Sequence, residues 1–160
     1  MPMIQKEWAA KPLPGAVGRR ANMEEWNTIT RTAGAAGIGF AHPVQRGTGD
    51  DAVVPLTTGN FLGISEADQT LIDGPVGTPA VYPVGSDLPV CEKGVIWARA
   101  SGTCSAGSPV YWDATAGGYA NDSSKTLIPG AEFDSSAAAN GLVKIRLRRN
   151  PATPAAAGGA

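Results

Sequence analysis

Leu88-Pro-Val-Cys-Glu-Lys-Gly-Val-Ile-Trp-Ala-Arg-Ala100 leads on to Ala106-Gly-Ser-Pro-Val-Tyr-Trp-Asp113 and Gly117-Gly-Tyr-Ala-Asn121. The stretch reads as short β segments cut by glycine turns. Val95, Trp97 and Arg99 fall on one face, and Ile96, Ala98 and Ala100 on the other. Period-2 alternation of β-branched and aromatic residues between Gly and Pro marks strands and hairpins. If Lys93-Gly94 is a two-residue turn, Cys91 would sit opposite Ile96.

Similar signals run outward in both directions. Ile38-Gly-Phe-Ala-His-Pro-Val44 alternates, with Ile38, Phe40, His42 and Val44 on one expected strand face. Ala52-Val-Val-Pro-Leu56, Phe61-Leu-Gly-Ile-Ser65, Gly130-Ala-Glu-Phe133 and Leu142–Arg148 read as further strands, with Asn140-Gly141 as a turn before the last. Residues 66–79 read as a loop. Gly (21) and Pro (13) make up about a fifth of the 160 residues, as expected for many short strands. The fold expected is all-β: a small barrel or sandwich of short antiparallel strands, with an extended N-terminal arm and a disordered C-terminal tail. The arm covers residues 1–32, the β domain 33–149 and the Pro/Ala/Gly tail 150–160. Ala21–Asn27 is open to one or two helical turns within the arm.

Charge is sorted along the chain. Residues 1–31 carry a net +2, residues 32–141 a net −7, and residues 142–149 a net +4 from Lys144, Arg146, Arg148 and Arg149. The basic last strand can steer a partner. It is equally the pattern of a half-buried strand that turns Val143, Ile145 and Leu147 inward. Trp8 and Trp26 stand out in so irregular an arm, and large aromatics there dock either on their own body or on a neighbour. The candidate partner-binding residues are therefore Trp8, Arg19, Arg20, Trp26, Arg146 and Arg148.

Little in the chain suggests catalysis. His42 is the only histidine, and beside Phe40 and Val44 it reads as a packed or edge residue rather than a base. Asp50-Asp51 reads as a turn that caps backbone groups. Cys91 and Cys104 lack the spacing of a zinc set and are expected to be reduced. No Walker loop occurs, and an acidic body argues against a direct nucleic-acid role. No apolar run is long enough for a transmembrane helix, and the N-terminus has no apolar signal-peptide region, so a protein made in the cytoplasm is expected. A non-enzyme with no cofactor and no metal is the expectation.

Taken in order, Phe40-Ala-His-Pro-Val-Gln-Arg-Gly-Thr-Gly-Asp50, Phe61-Leu-Gly-Ile64, Val90-Cys-Glu-Lys-Gly-Val-Ile-Trp97, Ala106–Asp113, Gly118-Tyr119, Gly130–Phe133 and Asn140-Gly-Leu-Val143 form a set. That set resembles the structural cement, or capsid decoration, proteins of tailed phages. The likeness covers about residues 30–147, and Gly15-Ala-Val-Gly18 fits the family's opening. The Pro/Ala/Gly tail is not part of the pattern. The resemblance implies a virion protein, made in the host bacterial cytoplasm, that binds the outer surface of the assembled major-capsid lattice and stabilises the shell. It implies no catalytic residues. The partners expected are the major capsid protein and neighbouring copies of the chain itself, as a trimer or a dimer. A second reading is a virion-surface module that binds host glycans on an aromatic platform of Trp97, Tyr111, Trp112 and Tyr119.

Overall fold

The computed structural model describes residues 15–58, 60–68, 70–71 and 80–148. Trp8 and the tail expected over 150–160 lie outside them. Among the described residues there are nine strands and no helix. They are β1 (Asn27–Ala33), β2 (Pro43–Arg46), β3 (Ala52–Pro55), β4 (Phe61–Ser65), β5 (Asp87–Arg99), β6 (Pro109–Asp113), β7 (Gly118–Ala120), β8 (Thr126–Phe133) and β9 (Leu142–Leu147).

The order β1-β3-β2-β4-β5 closes on itself because β5 also pairs with β1, which makes a five-stranded barrel. β1 and β3 run parallel, and the other strand pairs are antiparallel. Beyond the barrel, β5 continues into a sheet ordered β5-β9-β8-β6-β7. A bridge between Ala100 and Tyr119 brings β7 back beside the end of β5.

β5 therefore belongs to both halves. Residues 87–93 pair with β1, and residues 94–99 pair with β9. Lys93-Gly94 is not a turn, and one 13-residue strand runs through it. Gly94 serves as a bend instead. Its φ of 131° is open to glycine and strained for other residues, and a Cβ there would stand 2.1 Å from Cε3 of Trp26. Lys-Gly signals a tight turn locally, but the long pairings on either side of it hold the chain extended.

Each half has its own apolar filling. Ala33, Ile38, Val44, Val53, Tyr82, Leu88 and Val90 fill the barrel. Ile96, Val110, Trp112, Tyr119, Ile128, Phe133, Val143 and Ile145 lead the larger cluster under the second sheet. Burying such a side chain contributes about 1.5–3 kcal/mol, which beats the weak local preference of any short strand. β9 shows the alternation expected of it, with Val143, Ile145 and Leu147 buried.

The alternation at 38–44 does not make a strand. Ala41 has a φ of 53°, and β2 starts only at Pro43. The kink sends Ala41 to the second core, while Ile38 and Val44 stay in the barrel. Buried Ser65 fixes it: its hydroxyl donates to Gly39 O at 2.6 Å and accepts from His42 N at 2.9 Å. The Tyr119 hydroxyl donates to Ala41 O at 2.8 Å, a buried link between the two halves. Ala21–Asn27 forms bends rather than helical turns, and residues 27–32 of the expected arm are strand β1.

Candidate interaction surface

The segment from Gly15 to Trp26 runs along the edge of β5 opposite β9. Gly18 N–H donates to Trp97 O, Trp97 N–H to Arg19 O and Ala21 N–H to Val95 O, each at 2.8 Å. Gly18 O in turn accepts from Ala67 N–H, just after β4. Val95, whose carbonyl accepts from Ala21 N–H, is fully buried.

Trp26 ends the segment. Its ring covers the Gly94 bend, and the Arg20 guanidinium lies 4.7 Å from the ring centroid on a cation–π contact. The indole N–H donates to Glu66 Oε1 at 3.1 Å, and Thr28 Oγ1 donates to the same oxygen. Trp26 is thus held by its own body.

Arg146 is the centre of an ion-pair cluster. It reaches Glu24 at 2.6 Å, Asp134 at 2.7 Å and Glu132 at 3.4 Å. The hydrogen bond to Glu24, with the neighbouring carboxylates, pushes the guanidinium further above its ordinary value. Arg148 shares Glu132 at 2.9 Å and is largely exposed, and Lys93 pairs with Glu25. Asp68 lies within electrostatic reach of Arg19. Two acidic residues at the end of the segment are therefore strapped to cations of β5 and β9.

The result is a shallow groove lined by Glu24, Glu25, Trp26, Lys93, Arg146 and Arg148. Met23 projects beside it, fully exposed on the turn that carries Glu24. Four of the expected residues, Arg20, Trp26, Arg146 and Arg148, gather around this groove, while Arg19 stands on the strap next to Arg20. The sequence reading missed Met23, Glu24, Glu25, Lys93, Glu132 and Asp134. The adjacent acids Glu24-Glu25 were the available signal, but their partners lie some 70 to 120 positions away along the chain.

The aromatic platform does not form. Trp112 is 4% exposed and Tyr119 1%, and they pack on each other with ring centroids 4.9 Å apart. Alternation at Tyr111-Trp112 turns Trp112 inward, and Trp97 is covered by Lys144 Nζ at 5.3 Å. His42 packs its ring edge against Trp112 at 4.6 Å, with Nδ1 3.1 Å from Pro43 O. Burial depresses its pKa. Burial also pushes the Cys91 and Cys104 thiols up, away from the reactive thiolate.

Comparison with known proteins places this architecture. The protein is similar in fold to a chain of the capsid of Myoviridae phage XM1, with a TM-score of 0.69 at 18% identity over 91% of this chain and 98% of that one. A weaker likeness, TM-score 0.42 at 16% identity over 78% of this chain and 96% of the other, is to the head fiber gp8.5 N base of bacteriophage phi29. No curated protein sequence matches. The family described as structural cement protein (E217 gp24/Pam3 gp6) matches residues 4–148, nearly the whole length. A closed barrel, a second sheet continuous with it and this match together establish that the chain belongs to the phage structural cement protein family.

Proposed function

We propose that this protein binds the outer surface of the assembled major-capsid lattice, through the strap-and-groove face, and stabilises the shell. The observation that carries the reading is the strap itself. The strap from Gly15 to Trp26 lies along β5, carries the exposed Met23 and stands among ionised groups of both signs, and the family match includes it. An apolar knob ringed by charge suits docking onto a protein surface: the knob supplies affinity, and the charges fix orientation.

A ligand that binds only the assembled state shifts assembly by mass action. Contacts to several capsid subunits at once raise the effective affinity of each. In this role Arg148 and Arg19 orient the docking, while Trp26, Arg20 and Arg146 keep the face in shape. Trp8 adds an anchor from the terminal segment. Neighbouring copies, as a trimer or a dimer, would share the lattice position.

Co-sedimentation with capsids tests this reading. The protein should pellet with assembled shells and not with unassembled capsid subunits. Met23→Glu should lower occupancy at a fixed protein concentration about tenfold or more, as loss of an apolar anchor does. Raising salt should weaken binding only mildly, since screening acts on the rim charges and not on the knob. Full occupancy by Met23→Glu together with release by moderate salt would move the docking surface elsewhere.

A further inference from the structure

The turn that enters β9 carries Asn140–Gly141, and its geometry selects both residues. Asn140 has a φ of 65°, in the left-handed region that asparagine tolerates better than most residues with a Cβ. A Cβ at position 141 would stand 3.0 Å from Ala138 O, so glycine fits there. The dipeptide that the turn demands is also a chemically vulnerable one. A glycine nitrogen carries no side-chain hindrance toward the asparagine Cγ that precedes it.

Four hydrogen bonds hold this turn. Asn140 N–H donates to Ala100 O at 2.8 Å, and Ala100 N–H donates to Gly141 O at 2.9 Å. Gly141 N–H donates to Ala138 O at 3.0 Å. Arg99 Nη2 donates to the side-chain oxygen Oδ1 of Asn140 at 2.8 Å. The nucleophile, Gly141 N–H, is therefore engaged elsewhere, and the Asn140 carboxamide is held in one orientation by Arg99.

We propose that Asn140–Gly141 is a spontaneous deamidation site and that Arg99 is the residue that holds it back. In the reaction the Gly141 amide nitrogen gives its proton to hydroxide, and its electron pair forms a bond to Asn140 Cγ. The Cγ–Nδ2 bond breaks, Nδ2 takes up a proton and ammonia leaves, closing a succinimide ring. Water then opens the ring at either carbonyl, to aspartate or to isoaspartate. The balance is one water consumed, one ammonia released and one negative charge gained, with no redox partner. For the ring to close, Gly141 N–H must leave Ala138 O, and the Asn140 amide must swing away from Arg99.

The two products act differently on the fold. Aspartate keeps the main-chain length and sets a carboxylate beside the Arg99 guanidinium. Isoaspartate routes the main chain through Cβ and Cγ, one atom longer, between the two bonds that tie the turn to Ala100. Ala100 is also bridged to Tyr119, so the isoaspartyl form slackens the return of β7 to β5.

The test is ageing of the purified full chain at 37 °C and mildly alkaline pH. The readouts are the +1 Da peptide mass, ammonia release and isoaspartate-specific enzymatic methylation. Wild type should convert slowly. Arg99→Ala, at an exposed position, should convert about fivefold faster, the factor set by loss of one net hydrogen bond. Arg99→Gln, which keeps an N–H donor, should fall between them. The melting midpoint of each variant, taken alongside, separates loss of the clamp from general unfolding. Equal or slower conversion in a folded Arg99→Ala variant would overturn the proposal, as would an absence of conversion in any of the three.

Discussion

Gly94 and Trp26 act as one unit, and substitutions there should be strongly coupled. Gly94→Ala adds both a strained φ and a methyl group inside the Trp26 ring, which together should cost about 2–5 kcal/mol. In a Trp26→Ala background the steric part vanishes, so the second substitution should cost clearly less than it does in the wild type. Urea midpoints of the four proteins measure this, and equal costs in both backgrounds would show that the contact is slack. His42 gives a pH signature. Burial favours its neutral form, so the folded pKa lies below the ordinary 6.5 of the unfolded chain. Between those two values the unfolded state binds more protons, and stability falls as pH falls. The contribution is complete above pH 6.5 and declines below it. Urea midpoints at pH 7.5, 6.5 and 5.5 should fall in the wild type by more than in His42→Gln, and parallel curves would rule His42 out.

The strap is an element whose attachment is divided between backbone bonds, an indole and exposed ion pairs. Exposed pairs contribute little each, about 0–1 kcal/mol, so Glu24→Gln with Glu25→Gln should leave the melting temperature nearly unchanged. Hydrogen exchange at Gly18, Ala21 and Trp97, whose N–H groups make the strap bonds, should nevertheless speed up, because the strap opens locally before the body does. Unchanged exchange would mean that Trp26 and the β5 edge hold the strap alone. The elements differed in how legible they were. β9 follows from alternation because it has one buried face, whereas β4, with Gly63, Ile64 and Ser65 all buried, shows as a short apolar run. β5 did not follow, since Lys93-Gly94 carries a turn signal that only the distant Trp26 and the flanking pairings override. The 38–44 segment misled for a similar reason: Ala41 takes a positive φ, held by Ser65 and Tyr119 from other strands. Around the groove, the basic residues were visible as charge, but the carboxylates that neutralise Arg146 come from two distant places in the chain, Glu24 on the strap and Glu132 with Asp134 at the end of β8.

For the molecule as a whole, β5 makes the barrel and the second sheet one cooperative body. Two apolar clusters lie on the two sides of a shared strand, and the Tyr119–Ala41 bond joins them. Val90→Ala in the barrel and Ile145→Ala in the second sheet should each lower the same single transition, by about 1–4 kcal/mol. Near- and far-ultraviolet circular dichroism should trace coincident curves in both variants. Separate transitions would show that the halves fold independently. A continuous β5 also bears on how the protein carries load. A tug on the groove face reaches the barrel along the covalent backbone through Gly94, not across a row of hydrogen bonds that could unzip in succession. The barrel rungs that β5 shares with β1 and β4 would then be loaded in shear, all together. If the protein staples a shell, as proposed, it gains from that arrangement, because it gives way only when many rungs break at once.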